Sequence, residues 1–365
     1  MATLTTALQD ATGKASRLCR RAWSRVADCS RVGYIGYLGY GNLGDEAMFE
    51  GVKQALPGAR LFYYRHPDRE RPLARLGLSG ARFFQSALLG GGTLIGPGYV
   101  DTVELAIEQG LPLWSLGTGV GSPGFEVESS VELGPWATLL PRFAHISVRG
   151  PLSAERLATL GVTRVDVTGD PAFLLARSSL EPTADPPRVL LNVAQPERPD
   201  RTDAWNASMA ALAEALRELA AANWLIEPVA MQARDVADTA EVLAAAGVRA
   251  APWLARDSDS FFRRAAPCTF AITVRLHAGI LAACAGVPPV VLGYRDKCLD
   301  FCRSIGIYDH HVDLQCAPPE AVRETVERVR AAAERSRPEI LQRANERRRA
   351  ILDFVRRAQP GLARR

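Results

Sequence analysis

AITVRLHAGILAACAGVPPVVLGYRDK, residues 271–297, reads as strand, helix, strand, and the rest of the chain is interpreted outward from it. The apolar, β-branched run Phe270, Ile272, Val274 ends at Arg275 and His277, and a small-residue helical segment, Ala278 to Ala285, follows at once. After Gly286 a second buried-type strand, Pro289 to Leu292, ends in the same manner at Tyr294, Arg295 and Lys297. Neighbouring strands of an open α/β sheet bring their carboxyl ends to one edge, where such sheets bind ligands. The cations of both strands are therefore expected to face one crevice, with the imidazole of His277 among them: an anion site holding one titratable ring.

The same alternation extends toward the N-terminus. Strands are expected at Val32 to Tyr37, Leu61 to Tyr64, Phe84 to Leu89, Leu113 to Leu116, His145 to Val148 and Arg164 to Val167. Helices are expected at Asp45 to Leu56, Val100 to Gln109, around Val131 to Leu140, and at Ser153 to Leu160, with Met48, Val52, Ala55 and Leu56 turned inward. The polar stretch Arg65 to Gly80 and the glycine-rich Gly117 to Pro123 read as loops. Ala176 to Pro187, ARSSLEPTADPP, is the clearest linker, after which Val189 to Val193, Ala204 to Ala222, Leu225 to Val229, Val236 to Ala245 and Phe261 to Arg264 restart the pattern. The fold class expected is α/β, with two Rossmann-like domains facing each other across a cleft. The boundaries drawn are a basic N-terminal extension (1–31), an N-terminal domain (32–180), a C-terminal domain (188–318) and a basic helical tail (319–365) whose periodicity breaks near Pro338.

Composition narrows the class. The 365 residues are 47% hydrophobic with a net charge of +4, enough apolar material for two cores and too little positive charge to argue for nucleic acid. The tail's arginines are read as a solvated face. The seven cysteines form an odd, scattered set and are taken as reduced thiols, with Cys298 and Cys302 in core packing. The chain lacks a bilayer-length apolar run and a secretion signal's apolar core, so a cytoplasmic protein is expected. Met1 to Ser30, with Leu18, Trp23 and Val26 roughly on one side, is either a basic amphipathic helix suited to the inner face of an anionic membrane or a loosely docked extension.

Other motifs carry two readings each. Gly39-Tyr-Gly41-Asn-Leu-Gly44 fits the dinucleotide fingerprint, but Asp45 and Glu46 follow where a pyrophosphate needs bare N–H groups. Those acids either cap the helix or point into the cleft and orient sugar hydroxyls. Gly90-Gly91-Gly92-Thr93 either lets backbone approach a ligand or lets a helix pack near the sheet. Arg149 ends a strand before a Gly-Pro turn, a position that aims a guanidinium at the sheet edge, and Asp170 in Thr-Gly-Asp-Pro reads as a cap or brace. His310 and His311, with Asp309 and Asp313, read as a surface turn, and no metal site is assigned.

Taken in order, Gly-Tyr-Gly-Asn-Leu-Gly-Asp-Glu (39–46), Gly-Gly-Gly-Thr (90–93), Ser-Val-Arg-Gly-Pro-Leu-Ser (147–153), Gly-Asp-Pro-Ala (169–172), Arg-Leu-His-Ala (275–278) and Tyr-Arg-Asp-Lys (294–297) resemble the polysaccharide pyruvyl transferase family. The resemblance implies a GT-B-like fold and transfer of pyruvate from phosphoenolpyruvate, as co-substrate, onto two hydroxyls of one sugar as a cyclic ketal. It implies that Arg149 and Arg275, with Lys297, hold the donor and that His277 is the acid or base beside Arg275. The acceptor, a sugar, polysaccharide repeat or lipid-linked oligosaccharide, would meet Asn42, Asp45, Glu46, Gly91 and Gly92. Because the enol phosphate is itself activated, no cofactor is expected. The competing readings are a GT-B-type nucleotide-sugar glycosyltransferase and a non-catalytic glycan-binding protein, since fold alone does not choose a donor.

Overall fold

The structure is a computed structural model that describes residues 30–64, 83–122, 133–195 and 203–362, with side chains through 358. The N-terminal segment up to residue 29, the Arg65 to Gly80 link and the first residues of the helix expected from Val131 lie outside the described residues.

The N-terminal half alternates strand and helix: β1 (Ser30–Ile35), α1 (Leu43–Ala55), β2 (Ala59–Tyr63), β3 (Ser86–Leu89), β4 (Gly92–Ile95), α2 (Val100–Glu108), β5 (Leu113–Ser115), β6 (Thr118–Val120), α3 (Gly134–Leu139), β7 (Phe143–His145), β8 (Ser147–Val148), α4 (Pro151–Thr159) and β9 (Asp166–Val167). One parallel sheet runs β2-β1-β3-β5-β7, and a smaller one runs β4-β6-β8-β9. Three strands of the first sheet thus bend and continue into the second. At one of these bends Gly117 has φ +60°, and a Cβ there would lie 2.3 Å from the Gly169 carbonyl oxygen. The bends correct two expectations: Gly117 to Pro123 is not wholly loop, and His145 to Val148 is not one strand but the end of β7 and the whole of β8, parted at Ile146. Glycine content signalled a turn, yet Thr118–Val120 is fully buried and pairs with β4 and β8.

The C-terminal half contains β10 (Arg188–Asn192), α5 (Asp203–Ala221), β11 (Leu225–Ala230), α6 (Asp235–Ala246), β12 (Trp253–Leu254), α7 (Ser258–Ala265), β13 (Phe270–Thr273), α8 (Leu276–Cys284), β14 (Pro289–Gly293), α9 (Asp296–Ser304), β15 (His311–Asp313) and α10 (Glu320–Leu362). Its parallel sheet has the order β12-β11-β10-β13-β14-β15. Every residue of β13 and β14 is buried, as expected of central parallel strands covered on both faces. Helix α8 is buried nearly all round, and its Ala and Gly positions let the neighbouring elements approach closely.

Helix α10 overturns the expected break: it passes through Pro338 without interruption. A mid-helix proline costs ~3 kcal/mol. Against this the helix buries Val322, Val326, Val329, Ala333, Ile340, Leu341, Ala344, Ile351, Phe354 and Val355, and each fully buried aliphatic or aromatic side chain contributes ~1.5–3 kcal/mol. The reading of its arginines as solvated also fails at Arg337, which is buried and donates to the carbonyls of Cys268, Glu181 and Ala266. Arg343 likewise donates to the Ile305 and Gly306 carbonyls.

The two halves are tied across the cleft. Leu43 N–H donates to the Met231 carbonyl (2.9 Å), Ser258 Oγ to Glu50 (2.6 Å), and Arg177 N–H to the Cys284 carbonyl (2.9 Å). Asp300 of α9 accepts from Leu152 N–H (2.9 Å) and Ser153 Oγ (2.6 Å), capping α4 from the opposite domain where Gly150 has no side chain to do so. Cys298 and Cys302 are buried in the core, as expected. Among the described residues no helix is long and apolar enough to cross a membrane.

Candidate functional site

His277 and Arg149, both singled out at strand ends, lie where the two halves touch. Arg275 is the residue before α8, where the chain leaves β13; its N–H donates to the Asn192 side chain (2.9 Å) at the end of neighbouring β10. Its guanidinium is held by the buried Asp235 of α6: Nη2 lies 2.6 Å from Oδ1, and Nε lies 3.1 Å from both carboxylate oxygens. Asp235 is itself fixed by Met231 N–H (3.1 Å). With the Gln232 amide turned so that its oxygen faces the arginines, it also accepts from Arg275 Nη2. The Nη1 edge of Arg275 has no partner among the described residues and remains available to a ligand. The bidentate clamp fixes the plane of the fork.

Arg149 follows β8, its side chain 2% exposed. Asp300 Oδ2 stands 3.9 Å from its Nε, too far for a hydrogen bond, and Nε has none among the described residues. Gly119 on β6 has no side chain to block it: a Cβ there would lie 2.5 Å from Nη2. A buried guanidinium that the described residues leave without a hydrogen bond is suited to an anionic partner.

Lys297 enters from the first turn of α9. Burial pulls its ammonium down to about 8, and the positive charges of Arg295, Arg149 and Arg275 push the same way. Arg149 and Arg275 therefore both lie within electrostatic reach of Lys297.

His277 faces the N-terminal domain. Its Nε2 is 3.5 Å from Asp170 Oδ2, and neither atom has another partner among the described residues. On the other edge Nδ1 lies against the first turn of α1, where a Cβ on Gly44 would be only 2.2 Å away. Burial works to raise the Asp170 carboxyl, but the charge and hydrogen bond of His277, the charge of Arg149 and the Ala172 N–H outweigh it and hold Asp170 below the usual carboxylate range. Asp45, one residue past Gly44, is raised to about 6: burial dominates, Asp170 and Glu46 add to it, and His277 and Lys297 oppose it. The ring of His277 thus sits between one carboxyl kept ionised and another poised near neutrality.

The remaining expected acceptor residues are partly committed elsewhere. Asn42 is the N-cap of α1 and accepts from Gly44 N–H (3.1 Å), while Glu46 accepts from Gly39 N–H (2.8 Å) and braces the preceding loop. A Cβ on Gly91 would meet Met48 Sδ at 2.3 Å, so close helix packing accounts for that glycine, and Gly92 has φ +99°. Asp170 was read as a cap; it is one, accepting from Ala172 N–H (3.0 Å) through Oδ1, and its other oxygen addresses His277. Asp235 and Asp300 were missed. Each is an unremarkable acid near a helix start in sequence, and only the folded chain shows which arginine it faces.

Residues 42–296 match the polysaccharide pyruvyl transferase family, a span from the cap of α1 to the start of α9. No curated protein sequence matches the chain. Among solved structures, the S. aureus MnaA–UDP structure is 12% identical with a TM-score of 0.54 and covers 86% of this chain and 90% of its own. The UDP-GlcNAc 2-epimerase from Neisseria meningitidis, solved bound to UDP-GlcNAc, is 11% identical with a TM-score of 0.52 and covers 91% of this chain and 99% of its own. At such identities the likeness shows the fold alone, which is GT-B-like. The family match, by contrast, takes in Asp45, Arg149, Asp170, Arg275 and His277 and stops one residue short of Lys297. The chain belongs to the polysaccharide pyruvyl transferase family and is a polysaccharide-modifying transferase.

Proposed function

We propose that the chain transfers the enolpyruvyl group of phosphoenolpyruvate onto two hydroxyls of one sugar, forming a pyruvate ketal and releasing phosphate. The observation that carries this reading is Arg149, buried without a hydrogen bond among the described residues and within electrostatic reach of Lys297, as is Arg275 with its Nη1 open. Phosphoenolpyruvate holds a carboxylate and a phosphate close together, and guanidinium forks suit both groups. On this reading the C-terminal domain and Arg149 hold the donor, and the acceptor enters from the α1 side beside Asp45.

The chemistry follows from the arrangement. His277, oriented by Asp170, gives a proton to the methylene carbon, leaving an oxocarbenium-like centre at C2. A sugar hydroxyl adds to that centre, losing its proton to ionised Asp45. The C–O bond to phosphate then breaks, its electrons and the proton held on Asp45 leaving with the phosphate beside Arg149 and Lys297, and the second hydroxyl closes the ring, its proton returning to His277. Diol plus enol phosphate becomes ketal plus phosphate, with no change of oxidation state, so the reading calls for neither a redox cofactor nor a metal. The acceptor is a sugar, polysaccharide repeat or lipid-linked precursor available in the cytoplasm or at the inner membrane face.

The test is an acceptor panel incubated with phosphoenolpyruvate and read by phosphate release and by mass gain on the sugar. The expected result is both, with His277→Ala retaining donor binding while turnover collapses. Binding of UDP-GlcNAc in preference to phosphoenolpyruvate would overturn the assignment.

A further inference from the structure

Tyrosines gather at the carboxyl edge of the N-terminal sheet. Tyr37 and Tyr40 lie in the loop between β1 and α1 and stack on each other, with ring centroids 4.1 Å apart and planes 14° from parallel. They are 47% and 64% exposed, and Tyr63 at the end of β2 is 49% exposed. The loop is built to present them: Gly39 (φ +83°) and Gly41 (φ +71°) flank Tyr40 in the left-handed region, and Glu46 pins the Gly39 N–H at 2.8 Å. Half-exposed tyrosines on a braced loop are not core packing, and a clustered apolar patch on a protein surface marks a contact site.

The patch is continuous with the cleft. The loop that carries Tyr37 and Tyr40 runs directly into Gly44, where a Cβ would lie 2.2 Å from Nδ1 of His277, and Glu46 in that first turn holds the Gly39 N–H. Tyr99, half-buried in the 3-10 turn Pro97–Tyr99 after β4, is pushed well above the usual phenol range, first by burial and then by Tyr63, Asp45, Tyr37 and Tyr40. Asp45 in turn senses His277 and Lys297. The tyrosine loop therefore borders the proposed catalytic groups on the acceptor side.

We infer that Tyr37 and Tyr40, with Tyr63 at the same sheet edge, form a platform on which a pyranose ring of the acceptor stacks, an inference that rests on the reading that the acceptor is a sugar. A pyranose has a face of C–H bonds and a rim of hydroxyls. The C–H face lies against the negative face of an aromatic ring, while phenolic oxygens donate to and accept from the rim. The stacked pair is ordered before the ligand arrives, so little side-chain freedom is lost on binding.

The experiment is saturation-transfer NMR on the full chain with methyl β-D-glucopyranoside, methyl β-D-galactopyranoside and methyl α-D-mannopyranoside. The expected result is saturation concentrated on the C–H protons of one ring face for at least one glycoside. Tyr37→Ala and Tyr40→Ala should each weaken its affinity about tenfold, and Tyr40→Phe should restore it. Phosphoenolpyruvate affinity in Tyr40→Ala should match the unsubstituted protein, which reports an intact fold. Absence of saturation for all three glycosides, or unchanged affinity in the alanine variants, overturns the platform. Glycoside saturation in a protein that fails to bind phosphoenolpyruvate would sink the pyruvyl transfer and leave the platform standing, whereas donor binding with tyrosine-independent glycoside binding would do the reverse.

Discussion

Arg149 is the residue whose surroundings say most about the cleft. The carboxylate nearest its Nε, Asp300, is already occupied by Leu152 and Ser153. Replacing a poorly compensated buried charge with an apolar side chain of similar length is often neutral or stabilising by ~1–4 kcal/mol. Arg149→Met is therefore expected to unfold at the same denaturant concentration as the unsubstituted protein or a higher one, while losing about 100-fold in phosphoenolpyruvate affinity. Denaturant titration and calorimetry on the same samples check both halves of this prediction.

Proton inventory at the same scale gives a pH profile. Asp45 must be ionised to accept a hydroxyl proton, so kcat/KM should rise as pH passes through about 6. Lys297 must be protonated to hold the donor, so kcat/KM should fall as pH passes through about 8. The donor's own phosphate also titrates near ~6. Asp45→Asn is the control: it should lower turnover and remove the protein's contribution to the acid limb, whereas Lys297→Arg should carry the alkaline limb upward. Profiles of both variants identical to the parent's would detach these residues from the chemistry.

At the scale of elements, α10 shows how tertiary packing overrides local preference. Its sequence carries Pro338 and a row of arginines, local signals of a break and of a wet surface, yet the helix seals the back of both domains. Arg337→Ala leaves three backbone carbonyls without their donor. The expected loss is about 3 kcal/mol of unfolding free energy, measured by denaturant titration, with little effect on phosphoenolpyruvate affinity because the arginine is remote from the cleft residues. Most strands and helices were legible from periodicity, since α1 shows its inward Met48, Val52, Ala55 and Leu56 on one stripe and β13 its unbroken apolar run. The bends that create the second sheet were not: Gly117 signals a turn equally well whether the chain leaves the sheet there or re-enters another.

Across the whole molecule, each domain supplies half of the site. Arg149, Asp45 and Asp170 come from the N-terminal half, and Arg275, His277 and Lys297 from the C-terminal half. Strand-end chemistry made the cations and the imidazole legible in sequence, because a βα junction directs side chains to the ligand edge. The carboxylates that orient them were not legible, because Asp170–His277 and Asp235–Arg275 are pairs made only by folding. Asp300 carries the register between the domains: Asp300→Ala removes the acceptor of two hydrogen bonds to a charged group, and should cost about 3 kcal/mol of stability and weaken donor binding as well, both readable from a thermal melt with and without phosphoenolpyruvate.

The claim beneath all of this is that the cleft is built around a small, multiply charged enol phosphate, and calorimetric titration of phosphoenolpyruvate into the full chain and into its Arg149→Met variant tests it most directly. The account predicts saturable binding to the first and its loss in the second at undiminished stability. No heat of binding to the unsubstituted protein, or equal affinity in the two, would contradict it.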